Sequence, residues 1–305
     1  ITVFGAEQRT QDIYNADVLN DILAHTVITR TFEEITGKDI KHIHQVPVRF
    51  SEPEKEVYQK AISEFHAMRG NYFASTGNSR KDSMMRLIQQ ITLLLRISAA
   101  PNTVKEYTGG MPVKIAKVME MLQEMPDQII AIGVRHKKVV DAYSAAIRKL
   151  MPERPLFVVT GDTTTLAQRR KLRKTLKASG NGILLCTQQS LPSSVNFEFV
   201  NKVIIPELHY NNSRMSQFYM RFVRYTSRED KDIYFVTYLG SIESNQMQMV
   251  LAKEKINLFM RGQEQDLDDI YKTFGVDYNL LETLMRREEN SEGVFEIRWG
   301  KQDIS

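Results

Sequence analysis

Five short apolar runs decide the fold class: Ile129-Ile-Ala-Ile-Gly-Val134, Leu156-Phe-Val-Val-Thr160, Ile183-Leu-Leu-Cys-Thr187, Lys202-Val-Ile-Ile205 and Ile233-Tyr-Phe-Val-Thr-Tyr238. Helical or loop-forming sequence separates each from the next. Alternation of that kind predicts an α/β domain, a parallel sheet with helices on both faces.

Outward from this core the patterns turn helical. From Ala16 to about Glu124 they are mostly so. Ser51-Glu-Pro-Glu opens an amphipathic stretch through Phe65, with Ser51 as N-cap and acids in the first turn. A second helix is expected over Lys81–Ile97 and a third over Pro112–Met125, after the Gly109-Gly110 break. Between the first two, Gly70 to Arg80 is rich in Gly, Ser and Asn and reads as an exposed loop. Beyond Gly262, helices are expected over Asp266–Phe274 and Tyr278–Arg287, and the tail from Ser291, with Trp299, can add a strand. The chain thus divides into a helical segment (1–125), the sheet domain (126–260) and a helical extension with its tail (261–305).

The bulk numbers agree. A chain of 305 residues is long enough for one α/β core with helical additions, or for two domains, and 42% hydrophobic with 26% charged residues is ordinary for a globular protein. Uncharged apolar runs such as Gln128 to Val134 fall far short of the roughly 20 residues of a membrane-spanning helix, so no membrane partner is expected. The chain starts at Ile1 without a basic, apolar leader, which reads as an internal boundary of a longer protein. One cysteine, Cys186, cannot form an internal disulfide, and its apolar run suits a buried thiol in a reducing, cytoplasmic setting. No metal site is expected, because no Cys or acidic cluster accompanies His42 and His44. The net charge of +4 is only mildly basic, so the placement of charge matters more.

One basic stretch, Arg169 to Lys177, carries six cations and no acid and is either a solvated face or a phosphate contact. Another, Arg135-His136-Lys137-Lys138, sits at the C-terminal end of the first sheet strand, where ligands of open α/β sheets gather. A third feature is Gln217-Phe-Tyr-Met-Arg221-Phe-Val-Arg224, which on a helix would put Gln217, Arg221 and Arg224 on one face.

The surroundings of that segment carry a resemblance. Val203-Ile-Ile-Pro-Glu207-Leu-His-Tyr210-Asn211 followed by Gln-x-x-x-Arg-x-x-Arg resembles the strand-end signature of Swi/Snf-type motors, the superfamily-two DNA translocases. Ile183 to Thr187 followed by Asn196 is similar to that family's motif V, and Gly161-Asp-Thr163 with Arg169 to the turn after its second strand. Ile129 to Leu150 resembles motif IV, and Leu239-Gly-Ser241-Ile242-Glu243 the signature after the last strand. Thr29-Arg30-Thr31, Pro47, Ser51 to Tyr58 and Lys114 look like the helical segment that joins the two motor lobes. The resemblance covers roughly residues 20 to 260, and its specificity lies in the order and spacing of motifs that are individually weak.

It implies a RecA-like C-terminal lobe of an ATP-dependent double-stranded DNA translocase, a helicase-like hydrolase. Arg221 and Arg224 would be arginine fingers, and Gln217 would face the nucleotide. Arg135, His136, Lys137, Lys138, Gly161, Thr163, Thr187 and Asn196 would contact DNA, while Glu207 and Asn211 would shape the loop feeding the arginine helix. Departures point to a divergent branch, bacterial, phage or mobile-element. Gln188-Gln-Ser-Leu-Pro192-Ser-Ser194 replaces the glycine-rich motif V, Ser227 stands for a second glutamine, and Tyr210 for tryptophan. No P-loop is present: the Gly-Lys pairs at Gly37 and Gly300 are followed by Asp and Gln, and no Asp-Glu pair follows a strand. ATP and Mg²⁺ are therefore expected to be bound mainly by an N-terminal P-loop lobe, the second partner besides DNA, leaving this lobe inactive alone. The alternative is a degenerate helicase-like lobe serving as a nucleic-acid or protein interaction module.

Overall fold

The computed structural model describes residue 37, residues 40–243 except 75, 162–164, 192–194, 210–211 and 225, and two short strands, Arg287–Glu289 and Phe295–Ile297. All five apolar runs are strands: β2 (Ile130–Val134), β3 (Leu156–Val159), β4 (Ile183–Thr187), β5 (Lys202–Ile205) and β6 (Lys231–Tyr238). A sixth, β1 (Lys41–Val48), comes from the segment read as mostly helical and pairs in parallel along β6, from Lys41↔Lys231 to Val48↔Tyr238. The sheet order is β1-β6-β5-β2-β4-β3, and every pairing in it is parallel.

Parallel sheets are covered on both faces, so their inner strands read as unbroken apolar runs whose alternate residues feed two cores. Ala131, Leu184, Cys186, Val203 and Ile205 enter one core, with α5 (Leu166–Ser179) and α6 (Asn212–Tyr219) packed over it. Ile130, Ile132, Leu185, Ile204 and Tyr238 enter the other, beneath α3 (Val113–Glu124) and α4 (Lys137–Leu150). Packing of α6 is close enough to dictate a residue: a Cβ on Gly133 would lie 2.2 Å from Phe218 Cε1.

The remaining helices, α1 (Glu52–Ala74) and α2 (Gly77–Ala99), form a hairpin around Tyr58, Phe65, Leu87 and Leu94, with Ile242 reaching into the same cluster. Ser51 begins α1 as expected. Its N–H and its hydroxyl both donate to Glu54 Oε2, at 2.6 and 2.8 Å, which is the reach-back half of a capping box. The loop expected over Gly70 to Arg80 is almost wholly helical, since α1 runs to Ala74 and α2 resumes at Gly77. Composition had favoured a loop, and the favourable packing of a long hairpin outweighs the roughly 1 kcal/mol that each helical glycine costs.

The helices expected after residue 262 lie outside the described residues up to 286. Arg287, expected to close the second of them, instead starts a strand, β7 (Arg287–Glu289), which pairs antiparallel with β8 (Phe295–Ile297) in the tail. No described helix is long and apolar enough to cross a membrane.

Candidate functional site

Strand order brings the C-terminal ends of β5, β2, β4 and β3 side by side, and most of the residues singled out in the sequence lie along this rim. Arg135, His136, Lys137 and Lys138 follow β2 directly, with Lys137 and Lys138 exposed. Gly161, two residues past β3, stands in the open: a Cβ there would meet only Ser190 Oγ, at 3.9 Å. Thr187 ends β4, and its hydroxyl hydrogen-bonds that of Ser190. Thr163 lies outside the described residues.

Glu207 lies on the loop that leads to α6, but its side-chain contacts among the described residues are made elsewhere. Its side chain is buried and turns across the rim to the β2–α4 loop, where Oε2 accepts from the N–H of Arg135 at 2.6 Å and of His136 at 3.1 Å, and Oε1 contacts the His136 ring. Gln188, in the position where the resemblance calls for glycine, is a clasp. Its Nε2 donates to Gly133 O at 3.2 Å and to Glu207 O at 2.7 Å, while its backbone N–H donates to Val134 O at 2.8 Å. One side chain thus ties the ends of three strands, and the rim closes without a glycine loop. His209, two residues on, is buried among Arg135, Arg214 and His136. Burial first, and then the charges of Arg135 and Arg214, lower its imidazole to about 4, so it is neutral near pH 7.

The arginine segment departs from a single helical face. Helix α6 ends at Tyr219, and the chain continues as a tight turn in which Arg221 N–H donates to Phe218 O at 3.1 Å and Phe222 N–H to Tyr219 O at 3.0 Å. Phe218, Phe222 and Val223 are all drawn into the core, which tightens the chain here. Ser227 closes the next turn: its hydroxyl accepts from Arg224 N–H at 3.1 Å and its N–H donates to Arg224 O at 2.8 Å. Gln217 is exposed on α6, and Arg221 and Arg224 are half-buried just beyond it.

Their guanidinium groups are in an unusual state. Nε and Nη1 of Arg221 and Nε of Arg224 are buried without a hydrogen-bond partner among the described residues. Burial, and then the neighbouring charge of Arg224, lowers the Arg221 pKa from its ordinary value. Buried donors are almost always satisfied, and buried like charges repel, so such a pair is poised for an anion. Asn196 borders this place, because Phe197 N–H donates to Arg221 O at 3.3 Å. Asn196 itself is exposed, and its carbonyl accepts from Arg173 Nε at 2.5 Å.

Within the basic helix α5, Arg173 and Lys177 lie over the Phe199 ring, whereas Arg170, Lys171 and Lys174 are exposed. At the opposite end of the strands, His44 Nε2 lies 2.6 Å from Asp232 Oδ1, and no group of three metal-ligating side chains occurs among the described residues.

Lys114 and Glu243, both marked in the sequence, meet in the interior. Lys114 Nζ donates to both Glu243 oxygens, at 2.7 and 2.6 Å, and to Pro206 O at 3.1 Å. Tyr238 extends the network, accepting from Lys114 N–H at 3.2 Å and donating to Glu54 Oε1 at 2.7 Å. The helical hairpin is thereby bolted to the strand ends beside the rim.

By sequence the chain matches no protein-family model and no curated protein. Its fold does have solved counterparts. It is similar to the C-terminal part of the Fun30 ATPase domain, with a TM-score of 0.54 and 14% identity over 69% of this chain and 89% of that one. The Sulfolobus solfataricus SWI2/SNF2 ATPase C-terminal domain gives 0.55 and 15%, covering 78% of this chain and 98% of that one. The S. solfataricus SWI2/SNF2 ATPase core in complex with dsDNA gives 0.58 and 17%, and the chain, 84% of it covered, spans only 55% of that core. The fold is therefore the RecA-like one of SWI2/SNF2 C-terminal lobes.

Proposed function

We propose that this chain, with the fold of a SWI2/SNF2 C-terminal lobe, is the second motor lobe of an ATP-dependent double-stranded DNA translocase. The observation that carries the proposal is the half-buried pair Arg221 and Arg224 just past α6, three of whose buried nitrogens have no hydrogen-bond partner among the described residues. Guanidinium donors held dry, with no acceptor among the described residues, suit a polyphosphate presented by another lobe, where they would stabilise transition-state charge. Bound ATP with Mg²⁺ would supply the phosphoryl group, held mainly by a P-loop lobe, since the present sequence carries no P-loop motif. Gln217, exposed one turn before Arg221, would border the nucleotide.

Duplex DNA would lie along the rim. Arg135, Lys137 and Lys138 would supply cationic backbone contacts with His136 among them, Gly161, Thr187 and Asn196 would add uncharged ones, as would Thr163, which lies outside the described residues, and none of this resembles a base-reading motif. The neighbour whose structure holds dsDNA shares the fold, which supports the reading.

The chain alone should release no phosphate from ATP, with or without duplex. Joined to a P-loop lobe it should turn over ATP in a DNA-stimulated way, and Arg221→Ala or Arg224→Ala should remove roughly 10³-fold or more of that rate. ATP binding should survive. Turnover by the isolated chain would sink the half-motor reading, and undiminished turnover in the arginine variants would sink the site.

Gln188 favours a second reading, a helicase-like lobe retained as an interaction module, because its amide closes the strand ends where the resemblance calls for glycine. A two-lobe ATPase indifferent to DNA would support it.

A further inference from the structure

Helix α4 begins at the rim just after a stretch of backbone that is already engaged. The carboxylate of Glu207 takes the N–H groups of Arg135 and of the N-cap residue His136, the two that precede the helix. The side chains of Arg135–Lys138 are thus presented to an incoming anion from a backbone that Glu207 holds.

Glu207 is itself held on both sides. The carbonyl of Pro206 accepts from Lys114 Nζ at 3.1 Å, and the carbonyl of Glu207 accepts from Gln188 Nε2 at 2.7 Å. Lys114 belongs to α3, and Gln188 to the end of β4. The Glu207 side chain is 2% exposed, so water cannot take over its contacts. Each of its oxygens has a partner on the β2–α4 loop, Oε2 the two backbone N–H groups and Oε1 the imidazole of His136.

We propose that Glu207 is the positioning residue of the basic loop Arg135–Lys138: its carboxylate, carried on a backbone that Lys114 and Gln188 hold, aims those side chains at the nucleic-acid backbone without touching it. This rests on the DNA-facing reading of the rim and adds to it a specific internal residue. It also gives Gln188 a task that a glycine could not perform.

The test compares Glu207→Ala and the conservative Glu207→Gln with the parent chain, in amide hydrogen exchange at Arg135 and His136 and in duplex DNA affinity across salt concentrations. In the Ala variant both amides should exchange at least about tenfold faster, as loss of a charged acceptor implies. DNA affinity should fall several-fold, and the salt slope should drop by about one, the value of one phosphate contact. The Gln variant keeps an acceptor oxygen and should be intermediate in every readout.

The deciding arm repeats both substitutions in a chain where Arg135, His136, Lys137 and Lys138 are all Ala. There, changing Glu207 should leave DNA affinity unaltered, because nothing remains to be aimed. An equal loss in both backgrounds would overturn the inference, as would unchanged exchange at the two amides. If the Ala variant does not fold, the Gln variant in the two backgrounds carries the same comparison. Should the parent chain fail to bind duplex at all, the DNA-facing reading fails, while the exchange rates still report whether Glu207 holds the loop.

Discussion

Lys114 Nζ and Glu243 Oε2, 129 residues apart in the chain, meet 2.6 Å from one another with both side chains sealed from solvent. Burial pushes the Glu243 carboxyl up to about 7 even beside Lys114, and burial likewise lowers Lys114. Desolvation therefore outweighs the attraction at each partner. A buried pair of this kind contributes little net stability, yet breaking it from one side strands a charge.

Lys114→Met should accordingly destabilise the fold by roughly 3–5 kcal/mol in urea denaturation. Adding Glu243→Leu should restore most of the loss. A double variant as unstable as the single one would mean that the network specifies the geometry of Pro206 and Tyr238 and not merely charge balance.

His209 gives the fold an acid sensitivity of definite sign. Its folded pKa, about 4, lies below the ordinary 6.5, so between these values the unfolded chain binds more protons. Stability from this residue is complete above about 6.5 and is lost as pH falls toward 4. The total is on the order of 3 kcal/mol. His209→Gln, which cannot titrate, should show a shallower fall in unfolding free energy between pH 7 and pH 4.5 than the parent chain. Parallel curves would place a protonated His209 in the folded state.

Gly133 has no room for a side chain, because a Cβ would stand 2.2 Å from Phe218 Cε1 and 2.4 Å from its Cζ. Gly133→Ala should cost about 1–3 kcal/mol through overpacking. Combined with Phe218→Leu it should cost less than the sum of the two single changes, a coupling readable by a double-mutant cycle. Strict additivity would show that α6 shifts freely along β2.

What could be read in the sequence follows from where burial is two-sided. The four inner strands, β6, β5, β2 and β4, are continuous apolar runs because both faces are covered, β3 at one edge keeps the apolar run Leu156–Val159, and these runs are visible without tertiary knowledge. Strand β1 escaped notice because it lies at the sheet edge, where His42, Ile43, Gln45 and Pro47 face solvent and break the apolar pattern. Arg221 and Arg224 stood out by spacing from Gln217, but the end of α6 at Tyr219 did not, since the tightening depends on Phe218 and Phe222 finding the core. The roles of Gln188 and Glu207 were hidden altogether. They depend on β5, β2 and β4 being neighbours, an order that no local pattern encodes.

Arg154 and Arg221 are both half-buried arginines, and the structure assigns them opposite effects on stability. Arg154 spends its guanidinium on four backbone carbonyls: Asn181 at 2.8 Å, Leu122 at 2.5 Å, Met125 at 3.0 Å and Gln128 at 2.7 Å. It fastens the end of α3 to the start of β2 and β4, and Arg154→Met should cost about 2–3 kcal/mol, as loss of several charge-assisted bonds to backbone carbonyls implies. Arg221 has two buried nitrogens with no acceptor among the described residues and a second cation beside it. Removing that charge relieves desolvation and repulsion, so Arg221→Met should leave stability unchanged or raise it by up to about 1 kcal/mol, as expected where a residue is kept for function at the expense of the fold. Thermal melts of the two variants under one set of conditions decide the matter. A loss at Arg221 as large as that at Arg154 would make Arg221 a structural bracket like its counterpart, and would remove it from the site.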